Sequence, residues 1–175
     1  MICIGSTQIA TNIFLAPLSG CSDLAFRLIA REYGAKFCFF EMIDAHSLLS
    51  PNPKKFNILK TLEQDTPIAA QLLGVDPAMM LDAAQILLER VHVSFLDVNG
   101  ACPSKKVVKR GAGAALLNTP AHLAHIIHTL AASLAAPITV KLRVGFNTPD
   151  LPALLDLAKL CEASGAAALF VHGRT

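Results

Sequence analysis

Apolar residues occur along the chain in six short runs, and segments with a helical pattern separate them. Each run is of strand length, and its nearly continuous apolar character is typical of strands that are buried on both faces of a parallel sheet. The predicted strands are residues 13–18, 37–42, 68–73, 95–98, 138–142 and 168–171.

The segments between these runs carry start and stop signals of helices. Asp or Thr stands at the beginnings as a capping residue, proline follows it in three cases, and glycine stands at two of the ends. The predicted helices run from Asp23 to Gly34, from Asp76 and Pro77 to about Arg90, from Thr119 and Pro120 to about Leu134, and from Thr148 and Pro149 to Gly165.

Alternating strands and helices predict an α/β fold, either a doubly wound sheet or part of a (β/α)8 TIM-type barrel. In a barrel, every strand contributes its carboxyl end to one rim, and all six runs here end in polar or reactive residues, which favours the barrel. These residues are Ser19 and Cys21, Glu41 and Asp44, Gln71, Asn99 and Cys102, Lys141 and Arg143, and His172 and Arg174.

A complete barrel needs eight strands and about 250 residues, whereas this chain has 175 residues and six predicted strands. We therefore expect residues 1–175 to be one partial barrel domain that is truncated after about six strands. The outer strands of such an open sheet would lack partners, so self-association through the open barrel edges is expected to be possible.

Composition narrows the class of protein. Hydrophobic residues make up 53% of the chain, which predicts a globular domain, while the net charge of +2 does not by itself indicate nucleic-acid binding. Five cysteines without a C-x-x-C pair argue against a disulfide framework and a zinc site, which favours a cytoplasmic location. Residues 111–140 lack charged side chains, but three histidines and two prolines favour a buried unit over a membrane span.

Cys102 is the strongest local signal of chemistry. It lies in a turn at the end of a strand, between Asn99 and Pro103, and a run of basic residues follows: Lys105, Lys106, Lys109 and Arg110. A thiol near its free pKa of about 8.5 is protonated at neutral pH and can act as an acid, whereas close lysines would favour the thiolate. The alternative is a small buried hydrophobic residue, which the rim position disfavours.

Two other patterns do not predict sites. His122, His125 and His128 spread over about 120° of a helix without a carboxylate or cysteine beside them, so no metal site is predicted. The segment Gly111-Ala-Gly113 lacks the third glycine and the preceding strand of a dinucleotide-binding motif, and it is interpreted as a turn.

Five motifs at the strand ends, taken together, resemble the tRNA-dihydrouridine synthases in order and spacing. They are Ala16-Pro-Leu-Ser-Gly-Cys-Ser-Asp23 with Phe26-Arg27, Gln71-Leu-Leu-Gly74, the segment from Asp97 to Gly113, Val140-Lys-Leu-Arg143, and Val171-His-Gly-Arg-Thr175. The sequence has Leu18 where methionine is usual and Gly100-Ala101 where Met-Gly is usual, and neither change removes a functional group.

The resemblance implies an FMN-binding catalytic barrel. The backbone of Pro17, Leu18 and Ser19 would lie along the flavin ring, Gln71 would hydrogen-bond its polar edge, and Lys141 would lie near its pyrimidine side. It also implies His172 as a flavin neighbour and Asn99 as an amide near flavin or uracil. Arg143 would contact FMN or RNA, or would pair with Glu41 or Asp44, while Lys105 and Lys106 would hold tRNA phosphates.

The implied reaction is reduction of the uridine 5,6 double bond in tRNA, with FMN as cofactor, NADPH or NADH as reductant, and Cys102 as the proton donor. The family adds strands seven and eight and a C-terminal helical domain that binds tRNA, which the 175 residues lack, so the fragment alone is expected to hold FMN poorly and to be inactive. The alternatives are an FMN-dependent oxidoreductase like dihydropyrimidine or dihydroorotate dehydrogenase, and an inactive barrel fragment.

Overall fold

The computed structural model describes all of residues 1–175. An antiparallel hairpin of β1 (Ile2–Ile4) and β2 (Thr7–Ile9) precedes one parallel sheet. The sheet consists of five strands in sequential order: β3 (Cys38–Asp44), β4 (Ile68–Leu73), β5 (Leu96–Asn99), β6 (Ile138–Arg143) and β7 (Ala166–His172).

Six α-helices and two 3-10 helices connect or follow these strands. They are α1 (Leu24–Glu32), α2 (Ala45–Leu49), α3 (Pro77–Leu88), α4 (Lys105–Val108), α5 (Pro120–Ser133) and α6 (Leu151–Ala163), with 3-10 helices at Pro53–Leu59 and Gly113–Asn118. Asp23, Asp76 and Asp150 cap the first turns of α1, α3 and α6 by accepting a hydrogen bond from the backbone amide three residues ahead.

The four predicted long helices are confirmed, with one shift at the last start. Asp150, rather than Thr148 or Pro149, caps α6, because its carboxylate reaches the amide of Ala153 at 3.0 Å. Residues 111–140 form a turn, a 3-10 helix, α5 and the first residues of β6, as predicted. No helix is long and apolar enough to cross a bilayer.

The first predicted strand, residues 13–18, is wrong as an extended strand. Only Leu15 pairs with the sheet, as an isolated parallel bridge to Cys38, with hydrogen bonds of 2.9 and 3.1 Å to the backbone of Phe37 and Phe39. The ladder stops there because Pro17 has no amide hydrogen to donate. The sheet therefore has five strands where the sequence predicted six.

Helices cover only one face of the sheet, as expected of part of a (β/α)8 barrel and not of a doubly wound sheet. Side chains of β4, β5 and β6 that point to this face pack with α3, α5 and α6 in one core of 25 buried residues. The sequential strand order and the one-sided helices confirm the barrel class.

The opposite face, which is the barrel interior, begins with an aromatic floor. Phe37, Phe39, Phe95 and Phe170 lie with ring centroids 5.4 to 6.1 Å apart, and Ile4 and Ile9 of the hairpin pack against this cluster. The hairpin was not predicted, because two three-residue strands carry no periodic signal. It covers the amino-terminal end of the sheet, so the carboxyl end is the open one.

A buried ion triad ties α1 to the segment before β4. Asp65 is fully buried and accepts hydrogen bonds of 2.9 Å from Nε of both Arg27 and Arg31. The Arg27 guanidinium also donates to the carbonyl groups of Ser22 and Lys60 and lies 4.7 Å from the Phe40 ring centroid. Arg27, which is part of the first of the five motifs, therefore stabilises the fold by connecting α1 to the segment before β4.

Asp65→Asn is expected to lower the free energy of unfolding by about 3 kcal/mol or more, because it leaves two guanidinium groups without their buried counter-charge. Urea denaturation followed by circular dichroism measures the loss. Asp156→Asn is the matched control, since its pair with Lys159 is exposed, and it should change stability little. Equal losses in the two variants would contradict the structural role of the triad.

Candidate active site

A cavity of about 480 Å³ lies at the carboxyl ends of the parallel strands, where the helix-free face is open. It brings together nine of the eleven predicted site residues: Pro17, Leu18, Ser19, Gln71, Asn99, Cys102, Lys141, Arg143 and His172. The other two, Lys105 and Lys106, are exposed on α4, which begins three residues after Cys102. A smaller cavity of about 260 Å³ behind the 144–150 loop shares only Arg143 with it.

The backbone of the turn that carries Cys102 is held by hydrogen bonds to two side chains and to one distant amide. Oδ1 of Asn99 accepts hydrogen bonds from the amides of Ala101 at 3.0 Å and Cys102 at 2.8 Å, which is an Asx-type turn. The Cys102 carbonyl accepts from the amide of Ala114 at 2.9 Å, and the Ala101 carbonyl accepts from Nε of Arg143 at 2.5 Å. The thiol is thus presented to the cavity from a fixed main chain.

Gly113 packs directly against this turn. Its φ angle is +60°, and a Cβ atom built there would lie 2.6 Å from the Cys102 carbonyl oxygen and 2.7 Å from a Val107 methyl group. Only glycine fits both the backbone conformation and the contact. The interpretation of Gly111-Ala-Gly113 as a turn is confirmed, and the turn braces the cysteine loop.

The Pro17–Ser19 segment is fixed in a similar way by a residue to which the sequence analysis gave no role. Ser22 is fully buried, and its hydroxyl accepts from the Leu18 amide at 2.9 Å and donates to the Leu18 carbonyl at 3.1 Å. Glu41 accepts a hydrogen bond from the Gly20 amide, which anchors the next residues of the loop to β3. This wall of the cavity is therefore tied to the rest of the chain by hydrogen bonds within the protein.

A second residue without a predicted role, Asp97, lies beneath the cavity floor. It is fully buried on β5, and its carboxylate accepts hydrogen bonds from Nε2 of Gln71 at 2.7 Å and from the Thr139 hydroxyl at 2.6 Å. Burial raises the pKa of Asp97 to about 6, although these hydrogen bonds and the Lys141 charge oppose the rise. A charged residue inside an apolar strand run was the signal that could have identified it.

Asn99 is fully engaged with the protein. Its Nδ2 group donates to Oε1 of Gln71 at 2.7 Å and lies 3.1 Å from the Met42 sulfur, while Oδ1 holds the cysteine turn. The amide thus lines the cavity, but its donors and acceptors are already used by neighbouring groups.

Arg143 does not pair with Glu41 or Asp44, which were two of its predicted alternatives. Its Nη1 group donates to the Thr175 carbonyl at 2.7 Å, and Nε donates to Ala101, so the guanidinium connects the cysteine turn to the segment after β7. Asp44 pairs instead with Arg110, the last member of the basic run. Arg110 is therefore held at the rim, while the lysines of the run remain exposed.

The rim on the β6 and β7 side is cationic and lacks carboxylate partners. Lys141 makes no ion pair or hydrogen bond within the chain, and burial lowers its pKa, with Arg143 adding to the effect and Asp97 opposing it. Desolvation and the charges of Lys141, Arg143 and Arg174 lower the pKa of His172. Such a rim suits a ligand that carries negative charge opposite Lys141.

Gly113→Ala is expected to destabilise the protein more than Gly111→Ala does. Both glycines have positive φ, so each alanine costs about 1 kcal/mol of backbone strain, but only the Gly113 variant drives its Cβ into the cysteine turn, at about 1–3 kcal/mol more. Urea denaturation of both variants measures the difference. Equal destabilisation would contradict the close packing against Cys102.

The buried carboxylate predicts a pH dependence of stability. Because the pKa of Asp97 in the folded protein, about 6, lies above its ordinary value of 3.8, ionisation costs stability as the pH rises between these values. The free energy of unfolding of Asp97→Asn, relative to the unmodified protein, should therefore rise by about 2 kcal/mol between about pH 4 and pH 7. Urea denaturation of both proteins at several pH values tests this, and parallel curves would contradict it.

Comparison with known proteins identifies the family. The sequence model of the dihydrouridine synthase family matches residues 14–175. The chain is 39% identical to tRNA-dihydrouridine synthase B of Pasteurella multocida over 98% of this chain and 51% of that protein. It is 36% identical to tRNA-dihydrouridine synthase B of Pseudomonas aeruginosa over 98% and 51% of the two chains.

A probable tRNA-dihydrouridine synthase of Treponema pallidum is 33% identical, over 99% of this chain and 52% of that protein. The chain thus spans about half the length of these curated relatives. Since the family match covers nearly the whole chain, and the residues of its motifs meet in one cavity, the chain belongs to the dihydrouridine synthase family.

Proposed function

We propose that this chain provides the cysteine-bearing part of a tRNA-dihydrouridine synthase, which reduces the 5,6 double bond of a uridine in tRNA. The observation that carries the proposal is the single cavity in which Cys102, Gln71, Lys141 and His172 meet at the carboxyl ends of the strands. Four chemically different side chains from four separate segments converge there, as an active site requires.

The residues around the cavity fit the isoalloxazine ring of FMN. The Pro17–Ser19 segment forms a pre-fixed wall, Gln71 retains one amide hydrogen beyond its bond to Asp97, and the Lys141 ammonium group has no partner within the chain. A ring with a polar edge and a tendency to become negative when reduced would satisfy these groups. When bound, FMN supplies the hydride that adds to C6 of uracil, and NADPH or NADH regenerates its reduced form.

Cys102 is the proposed acid for the other carbon. Hydride addition at C6 leaves an enolate, and the thiol completes the reduction by giving its proton to C5, after which the thiolate regains a proton from solvent. The fixed turn supports this role, because proton transfer requires a donor held within hydrogen-bond reach of its target. Lys141, on the neighbouring strand β6, is the proposed partner of the negative charge that the reduced flavin ring carries.

The substrate base must leave its stack to enter the cavity, which costs a few kcal/mol and is cheapest in a flexible tRNA loop. Lys105 and Lys106 lie exposed on α4 directly after the Cys102 turn, at the rim through which the base would enter. We propose that they bind the phosphates that flank this base. The relatives are named tRNA-dihydrouridine synthases, and these names support tRNA as the substrate.

The test is Cys102→Ala in the protein expressed from its complete reading frame, in a host that lacks dihydrouridine synthases. Loss of the acid is expected to lower the rate of dihydrouridine formation about 10²- to 10⁴-fold, while bound flavin, measured by absorbance, stays the same. Digestion of tRNA followed by mass spectrometry of the nucleosides counts the product.

Cys3→Ala is the matched control, because Cys3 is exposed in the amino-terminal hairpin far from the cavity, and it should retain full activity. A flavin-containing protein that reduces free uracil but not tRNA would overturn the proposal in favour of a free-base oxidoreductase. Absence of flavin and of product in the unmodified protein would favour an inactive barrel.

A further inference from the structure

Three side chains lie side by side in one layer at the floor of the cavity, which Gln71 lines. The strand register pairs Gln71 with Asp97, and Asp97 with Thr139, so the three residues stand on neighbouring strands β4, β5 and β6 and face the barrel interior. Asp97 accepts from both neighbours, at 2.7 and 2.6 Å. All three are buried, with at most 1% of each residue exposed, so no solvent competes for these bonds.

This layer has a direction. An ionised carboxylate only accepts hydrogen bonds, so Asp97 forces Gln71 to turn its Nε2 group downward and its Oε1 atom toward Asn99. Oε1 then accepts from Nδ2 of Asn99 at 2.7 Å, which leaves Oδ1 of Asn99 to hold the backbone amides of the cysteine turn. One carboxylate thus sets the orientation of two amides and, through them, of the turn.

A purely structural role would make Asp97 a buried polar anchor that only stabilises the sheet. That role explains the hydrogen bonds of Asp97 to Gln71 and Thr139. It does not require the chain of hydrogen bonds to continue through Asn99 to the backbone amide of Cys102. If the orientation of Gln71 were reversed, its Nε2 group would meet the Nδ2 donors of Asn99. Asn99 would then turn donors toward the amides of the turn, and the turn would lose its acceptor.

We propose that Asp97 is a positioning residue for the Cys102 acid: through Gln71 and Asn99 it fixes the turn that aims the thiol at the substrate base. This inference rests on the proposed function for its consequence in catalysis. The dependence of the Cys102 turn on Asp97 does not rest on the proposed function, and it can be tested without tRNA.

The test compares two variants of the protein from its complete reading frame, both at saturating FMN. Thr139→Val removes one donor and leaves the bond between Asp97 and Gln71. The double variant Asp97→Val with Thr139→Val also removes the carboxylate, without leaving the hydroxyl unpaired. Replacement of buried charge by apolar side chains is often neutral for stability, so the double variant is suited to the comparison.

The measurement is the rate of iodoacetamide alkylation at each cysteine, resolved by peptide mass spectrometry. Relative to Thr139→Val, the double variant should alkylate Cys102 about fivefold faster, because a turn that has lost the equivalent of one hydrogen bond opens more often. Cys38, on β3, and Cys161, on α6, are both fully buried, and their continued protection shows that the fold is intact. A merely structural role would leave the Cys102 rate unchanged.

Equal Cys102 rates in the two folded variants would overturn the inference. If the double variant alkylates Cys38 or Cys161 and is therefore unfolded, Gln71→Met carries the same test, since it cuts the connection at its middle and leaves Asp97 bonded to Thr139. Faster alkylation of Cys102 in that variant supports the inference, and an unchanged rate rejects it.

Kinetics then connect the positioning to the reaction. In the double variant, kcat for dihydrouridine formation should fall about tenfold while the KM for tRNA stays within about twofold of the Thr139→Val value, because the acid is misaligned and the RNA contacts are untouched. If the unmodified protein forms no dihydrouridine, the proposed function fails. The alkylation result still decides the role of Asp97, so the two failures are distinguishable.

Discussion

The parallel register of β4, β5 and β6 is the constraint on which the site depends. Because Gln71, Asp97 and Thr139 are direct partners across these strands, one buried carboxylate satisfies two neighbours at once. A slip of one residue in any of the three strands would turn a polar side chain toward the helices and an aliphatic one toward the cavity. The aliphatic contacts with α3 and α5 and the polar layer therefore require the same register.

The barrel interior is layered from one end to the other. Phenylalanine rings and the hairpin close the amino-terminal end, the layer of Gln71, Asp97 and Thr139 lies above them, and Lys141, Arg143 and His172 form the open rim. The rings exclude water below the carboxylate, which explains why burial dominates its raised pKa. The same apolar floor strengthens each hydrogen bond of the layer above it, because the local dielectric is low.

Much of the fold and most of the site could be predicted from the sequence. Apolar runs identified β3 to β7, because strands buried on both faces have a distinct length and composition. Motifs at the strand ends identified nine residues that share the cavity. The prediction of an extended strand at residues 13–18 was wrong, because strand pairing depends on a neighbouring strand and on the missing amide hydrogen of Pro17. The apolar pattern encodes neither of these.

The sequence patterns did not predict the contacts of three residues: Asp97, Ser22 and Arg143. Each acts through a contact with a residue distant in the chain or through the backbone of a turn, and such partners become visible only when the fold is known. Arg143 illustrates the difficulty, since its charge suggested a carboxylate partner, whereas its guanidinium binds two backbone carbonyl groups. Arg143 therefore lacks the pairing with Glu41 or Asp44 that was one of its predicted alternatives, while its contact with FMN or RNA stays a prediction.

The distribution of charge at the site follows from these contacts. The carboxylates nearest the rim are already used, by the Gly20 amide in the case of Glu41 and by Arg110 in the case of Asp44, so neither neutralises Lys141. The negative charge of Asp97 favours a higher pKa for Lys141, but burial and the charge of Arg143 outweigh it, so the pKa of Lys141 is lowered. An anionic ligand in the cavity would raise the pKa values of both Lys141 and His172. The unpaired cations are thus a feature that ligand binding would satisfy, and the buried carboxylate beneath them is left free to orient amides.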